Sequence, residues 1–170
     1  SFEFFPPKNE KGWRQLAATA RDLAGLAPDF FSVTYGAGGS SRDRTRTAVC
    51  AIDRDTGIPS MAHLTCVGHT RAEIRALLDE YAAHGIQNLL ALRGDPPQGQ
   101  DRFEPVADGC RYASELLALI AEDGRFATTC AAFPEGHPEA PDRESDWGHL
   151  VGKFAAGACM ALTQCVFSAA

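Results

Sequence analysis

Hydrophobic positions along the chain alternate between two periods. Short apolar runs return at intervals of about 30 residues, and the segments between them carry apolar residues three and four apart. The runs at residues 2–5, 30–35, 61–67, 88–92, 126–133 and 160–167 predict six strands. Helical spacing joins Trp13, Leu16, Ala20 and Leu23, with Pro28 marking the exit, and predicts a second helix over 42–55 with Thr45, Val49 and Ile52 inward. Thr70 and Glu73 form a capping-box pair ahead of the stripe Ile74, Leu77, Leu78 and Tyr81, which Gly85 closes. Tyr112, Leu116, Leu117 and Ile120 predict a fourth helix with these residues inward. Trp147, Leu150, Val151 and Phe154 predict a fifth, ended by Gly157.

Strand and helix alternate without a hairpin signal, so the strands lie parallel and are joined by right-handed crossovers. Enzymes built on parallel sheets place their working groups where strands end. A barrel and an open doubly wound sheet both satisfy the pattern.

Strand ends are where charge enters this sequence. NLLALRGDPP (88–97) passes from apolar core to Arg93 and Asp95 within a few residues, which reads either as a site or as a solvated Asp-Pro turn. Glu3 stands among phenylalanines, where a carboxylate is costly without a partner or a task. Glycines at 36, 38 and 39 open a loop that could cradle a phosphate or simply turn, and their spacing matches neither the dinucleotide fingerprint nor the P-loop. His63 sits within an apolar strand, the usual setting of a hydrogen-bonded core histidine. Residues 98–108 form a long polar loop. Glu135, His137 and Glu139 raise a metal reading, which requires alternating residues beside prolines to converge on one ion.

Composition narrows the classes. The 170 residues fit one domain, and a net charge of −6 with pI near 5.3 argues against nucleic acid or an anionic membrane as partner. No apolar run reaches the roughly 20 residues of a bilayer span and the opening SFEFFPPK has no signal core, so a cytoplasmic protein is expected. The six cysteines show no paired spacing, and reduced thiols are expected.

Six motifs taken together, SFEFFPPK, FFSVTYGAGGS with the following RDRT, AHLTC, GIQNLLALRGDPP, FPEGHPEA and ALTQ, resemble the methylenetetrahydrofolate reductase family in order and approximate spacing. The resemblance implies a TIM (β/α)8 barrel with FAD at the C-terminal strand ends. It implies NADH or NADPH as electron donor, and hydride transfer from the flavin to 5,10-methylenetetrahydrofolate, giving 5-methyltetrahydrofolate. By that resemblance Glu3 is the general acid, and Asp95 is the carboxylate beside flavin and folate. Thr34, Tyr35, Ala37, His63, Arg93, Gly94, Asp95, Ala113, His137 and Ala140 match flavin-contacting positions. Asp146 and Lys153 match positions near the nucleotide part of FAD, and Gln164 matches a glutamine that binds the folate pterin. A homo-oligomer of the full-length protein, without nucleic-acid or membrane partners, is implied as well.

The sequence departs from the family at several points. Phe133, a cofactor position, stands where tyrosine is common. His149 and Gly152 replace Asn and Arg, and Cys159 replaces Asp or Asn. Six β/α units do not close an eight-stranded barrel, so residues 1–170 are expected to form a partial barrel domain lacking strands seven and eight. The alternative is a truncated or degenerate family member without activity, binding FAD weakly or serving in assembly.

Overall fold

The computed structural model describes residues 1–36, 42–95, 99, 103–164 and 166. Its elements are β1 (Phe2–Phe4), α1 (Glu10–Ala24), β2 (Phe31–Val33), α2 (Arg42–Thr56), β3 (Ser60–Thr65), α3 (Arg71–Ala83), β4 (Asn88–Leu92), α4 (Ala113–Asp123), β5 (Ala127–Ala132), α5 (Arg143–Ala155) and β6 (Met160–Thr163). The strands pair in sequence order and all in parallel. A doubly wound sheet reverses its order at a switch point, whereas this one proceeds from β1 to β6 and curls into a half-barrel. The expected incomplete α/β barrel is therefore the architecture.

Pairing register assigns each side chain a face. Phe4, Val33, Ala62, Leu89 and Thr128 lie in one paired row, and Leu64, Ala91 and Cys130 continue that face one row higher. It packs against α2, α3 and α4 through Val49, Ile52, Leu77, Leu78, Leu117 and Ile120 in a single buried cluster. Burying each such aliphatic side chain contributes about 1.5–3 kcal/mol. The intervening residues point to the concave side. One row runs Glu3, Ser32, Met61, Asn88, and the next His63, Leu90, Thr129, Met160.

Helix starts follow the local chemistry. Asn9 Oδ1 accepts the Gly12 N–H at 2.9 Å, and Asp142 Oδ1 accepts that of Ser145 at 2.8 Å. The capping box at α3 closes in both directions: Thr70 Oγ1 accepts the Glu73 N–H and Glu73 Oε2 accepts the Thr70 N–H.

Two helix faces differ from expectation. Tyr112 precedes α4 as its N-cap residue and is 53% exposed under the Arg111 guanidinium, while Leu119 takes the inward place. The turn entering the helix carries Tyr112 off the inner stripe. In α5 no residue is buried, and Trp147 and Val151 are 60% and 68% exposed. That helix packs against its neighbour α4 and reaches β5 through Lys153, and no described element covers its outer stripe. Strands β1, β2, β3, β5 and β6 are each one or more residues shorter than expected, because ladder pairing ends before the apolar run does. Residues 37–41, including Ala37 and most of the glycine loop, lie outside the described residues, as do 96–98, 100–102, 165 and 167–170. Cys50, Cys66, Cys110, Cys130 and Cys159 are free thiols.

Candidate active site

The fold delivers the expected residues to one rim. Thr34, Arg93, Phe133 and Gln164 each directly follow a strand, β2, β4, β5 and β6 respectively, so all four stand at C-terminal strand ends. Glu3 and His63 lie just beneath, on the concave face.

Glu3 and His63 approach each other across the intervening strand β2, with His63 Nε2 3.5 Å from Glu3 Oε2. The His63 side chain is 7% exposed and its Nε2 has no hydrogen-bond partner. Buried polar atoms are rarely left so, and the orphan nitrogen is a receptive point in the floor of the site. Burial disfavours charge on both groups: it lowers the His63 pKa to about 4 and raises that of the Glu3 carboxyl. The imidazole is neutral at neutral pH, and the carboxyl keeps its proton to a higher pH than an ordinary glutamate.

At the end of β4, Arg93 makes a two-pronged pair with Glu139, at 2.6 and 2.7 Å, and lies 5.6 Å over the Phe103 ring. Its hydrogen bonds to Glu139 raise the Arg93 pKa first, with the Asp95 charge adding to them; the same contact holds Glu139 below the usual carboxylate range. Glu139 is thus committed to an arginine, and among the described residues no three His, Cys, Asp or Glu side chains gather as metal ligands. Glu139 is turned to Arg93 and does not converge with Glu135 and His137 in this geometry. Next in line, Gly94 has φ +86°, and a Cβ there would stand 2.6 Å from Val67 Cγ2. Only glycine turns the chain there so that Asp95 emerges exposed at the rim.

The other expected residues divide into those with open groups and those already engaged. The Tyr35 hydroxyl bonds His69 Nε2 at 2.9 Å in the core, and burial pushes its pKa up to about 12. The hydroxyl is thus engaged by His69 of the turn after β3. Thr34 extends the ladder, its N–H donating to Phe4 O, and its carbonyl accepts from Thr45 Oγ1. Past β5, His137 packs edge-on against Phe133 at 4.6 Å, its N–H donates to Asp146 Oδ2, and its Nδ1 accepts the Glu139 N–H. The Ala140 N–H closes that turn on His137 O. Lys153 Nζ donates to Ala131 O at 2.9 Å and, with Phe133 and Asp146, lines a shallow groove between α5 and the ends of β5 and β6. Ala113 opens α4, and the exposed Gln164 is tied by its N–H to Ala132 O.

Sequence reasoning overlooked four contributors. His69 carries no periodic signal, and its link to Tyr35 emerges only when the turns after β2 and β3 meet. Cys66 lies with its thiol within reach of Leu92 O and Tyr112 O, tying the end of β4 to the start of α4. Ser32 and Thr129, both buried, line the concave face. Polar residues at alternate positions of otherwise apolar strands were the available signal for these two.

Comparison with known proteins agrees with this geometry. A model of the family "Methylenetetrahydrofolate reductase" matches residues 1–170. The 5,10-methylenetetrahydrofolate reductases of Salmonella typhimurium and Escherichia coli are each 41% identical over 167 residues, covering 98% of this chain and 54% of each relative. An Arabidopsis thaliana protein named methylenetetrahydrofolate reductase (NADH) 1 is 38% identical over 175 residues, covering 96% of this chain and 30% of its own. Among solved structures, 2,3-dimethylmalate lyase of the PEP mutase/isocitrate lyase superfamily superposes with a TM-score of 0.60 over 96% of this chain and 57% of that one; at 9% identity this is a likeness of fold alone. The chain spans about half the length of the curated bacterial relatives it matches. With a family match along its whole length, and with that family's motifs standing at the ends of parallel strands, the chain belongs to the methylenetetrahydrofolate reductase family.

Proposed function

We propose that these residues are the flavin-binding part of an FAD-dependent methylenetetrahydrofolate reductase, in which NADH or NADPH supplies electrons and 5,10-methylenetetrahydrofolate is reduced to 5-methyltetrahydrofolate. The observation that carries this reading is the gathering of Glu3, His63, Arg93 and Asp95 at one end of a parallel half-barrel in a chain of this family. The cation of Lys153 beside the β5–β6 groove suits a flavin nucleotide, offering a charge for a diphosphate. FAD, when bound, supplies the hydride-accepting and hydride-donating ring.

The protein's own residues supply the rest. Glu3, its pKa raised by burial, holds a proton to give to the folate nitrogen that leaves as the one-carbon bridge opens. Asp95, exposed at the rim, adds negative charge that favours a cationic iminium form of the substrate. Gln164 at the end of β6 offers an amide to the pterin. No helix among the described residues is long and apolar enough to cross a membrane, and we place the protein in the cytoplasm, acting on a soluble folate and forming a homo-oligomer at full length.

A second reading rests on one observation. Among the described strands β1 and β6 each pair on one side only, so the rim is open and the 170 residues by themselves bind FAD weakly and do not turn over. Absorbance of the purified chain titrated with FAD separates the two. A flavin spectrum that survives gel filtration, bleaches with dithionite and returns with methylenetetrahydrofolate supports the first reading; no retained flavin supports the second.

A further inference from the structure

We propose that His63 is a positioning residue for Glu3: its bare Nε2 accepts a hydrogen bond from the protonated carboxyl and holds that acid form turned into the barrel. The inference rests on the reading of Glu3 as the proton donor and deepens it. Three observations meet at this pair. Glu3 Oε2 is the polar atom facing His63 Nε2, at 3.5 Å, and closes to a normal hydrogen bond with a shift of a few tenths of an ångström. The nitrogen is buried and otherwise without a partner, a state that costs about 1–3 kcal/mol if left so. Among the described strand residues of the concave surface around the two, Ser32 on β2, Met61 and Thr65 on β3, Asn88 and Leu90 on β4 and Thr129 on β5, none is charged and able to answer either group in its partner's place.

Because burial keeps His63 neutral, it has one N–H and one bare nitrogen and can respond to Glu3 only by choosing which is which. Facing a carboxylic acid, Nε2 is bare and the proton sits on Nδ1. Facing a carboxylate, Nε2 carries the proton and donates it. When the pair titrates without folate, the Glu3 O–H bond breaks and its proton passes to Nε2 as the Nδ1 proton leaves for solvent in one concerted step; when the Glu3 proton goes to folate instead, the Nδ1 proton relocates to Nε2. One proton leaves the pair in total, and the imidazole never becomes charged.

The test is made on the complete protein stripped of flavin. Long-range proton–nitrogen correlation spectra report the His63 tautomer while carbon-13 carboxyl shifts follow Glu3 through its titration. The expected result is a tautomer change from Nδ1–H to Nε2–H whose midpoint coincides with that of the Glu3 carboxyl. In Glu3→Gln the side-chain amide donates to Nε2 at every pH, so His63 stays in the Nδ1–H form and the change is lost. A His63 that keeps one tautomer while Glu3 titrates, or that switches equally in Glu3→Gln, overturns the proposal. The reading of Glu3 as acid fails separately, by normal folate reduction in Glu3→Gln of the complete protein, and that result leaves the tautomer measurement standing.

Discussion

Helices α3 and α5 are both thirteen residues long and both carry an apolar stripe, yet they end in opposite situations. In α3, Ile74, Leu77, Leu78 and Tyr81 are fully buried against the sheet. In α5, Leu150 is half-buried, and Trp147, Val151 and Phe154 face outward. The same pattern of residues is core in one place and surface in the other because an amphipathic helix is stable only to the extent that something lies opposite its stripe. The half of the molecule from β1 to α4 supplies that partner, and the region of α5 and β6 does not. The sequence departures from the family, Phe133, His149, Gly152 and Cys159, all fall after β5, three of them in α5 or the turn that follows it.

The sharpest way to break the contrast is to truncate one residue in each helix. Leu78→Ala removes a fully buried side chain and should cost about 2–5 kcal/mol in urea unfolding. A cost near zero would mean the first region is not the stable half. Acid is the next largest lever. His63 is held neutral with its pKa lowered to about 4, so the unfolded chain, with an ordinary histidine near 6.5, binds the proton more readily. Stability is therefore full above about pH 6.5 and falls as pH drops toward 4, by no more than about 3 kcal/mol. Glu3, raised by burial, acts in the opposite sense and favours the fold as it gains its proton, so Glu3→Gln should steepen the loss seen on thermal melts across that range.

Gly94→Ala places a side chain on a backbone with φ +86° and against Val67, and about 1–3 kcal/mol of destabilisation is expected, with displacement of Asp95. Thr70→Ala, which removes the side-chain half of the α3 capping box, should cost about 0.5–2 kcal/mol in the same unfolding assay. At the small end, Val151→Ala on the open face of α5 should shift stability by less than about 0.5 kcal/mol. A loss comparable to that of Leu78→Ala would show that α5 is covered in solution.

Legibility in the sequence follows the same division. The capping box of α3 and the stripe behind it were readable because local hydrogen bonding and helical spacing agree with the tertiary partner. Parallel pairing followed from alternation alone, but the choice between barrel and doubly wound sheet did not, since strand order is a property of distant contacts. The burial predicted for Trp147 and Tyr112 failed because periodicity reports which residues could share a face and not whether a neighbour exists. At the site, the position of Arg93 at a strand end was legible, whereas its partner Glu139 lies 46 residues away and was first considered as a metal ligand. His63 beside Glu3 was equally hidden: each was visible as an unusual residue in an apolar strand, and only the curl of the sheet across β2 brings the two together.

Half-reactions of the complete protein isolate the role proposed for Glu3 as the acid of a flavin-dependent folate reduction. Stopped-flow absorbance of Glu3→Gln should show bound flavin reduced by NADH or NADPH at close to the wild-type rate, while reoxidation by methylenetetrahydrofolate is lost. Reoxidation at the wild-type rate would contradict the claim.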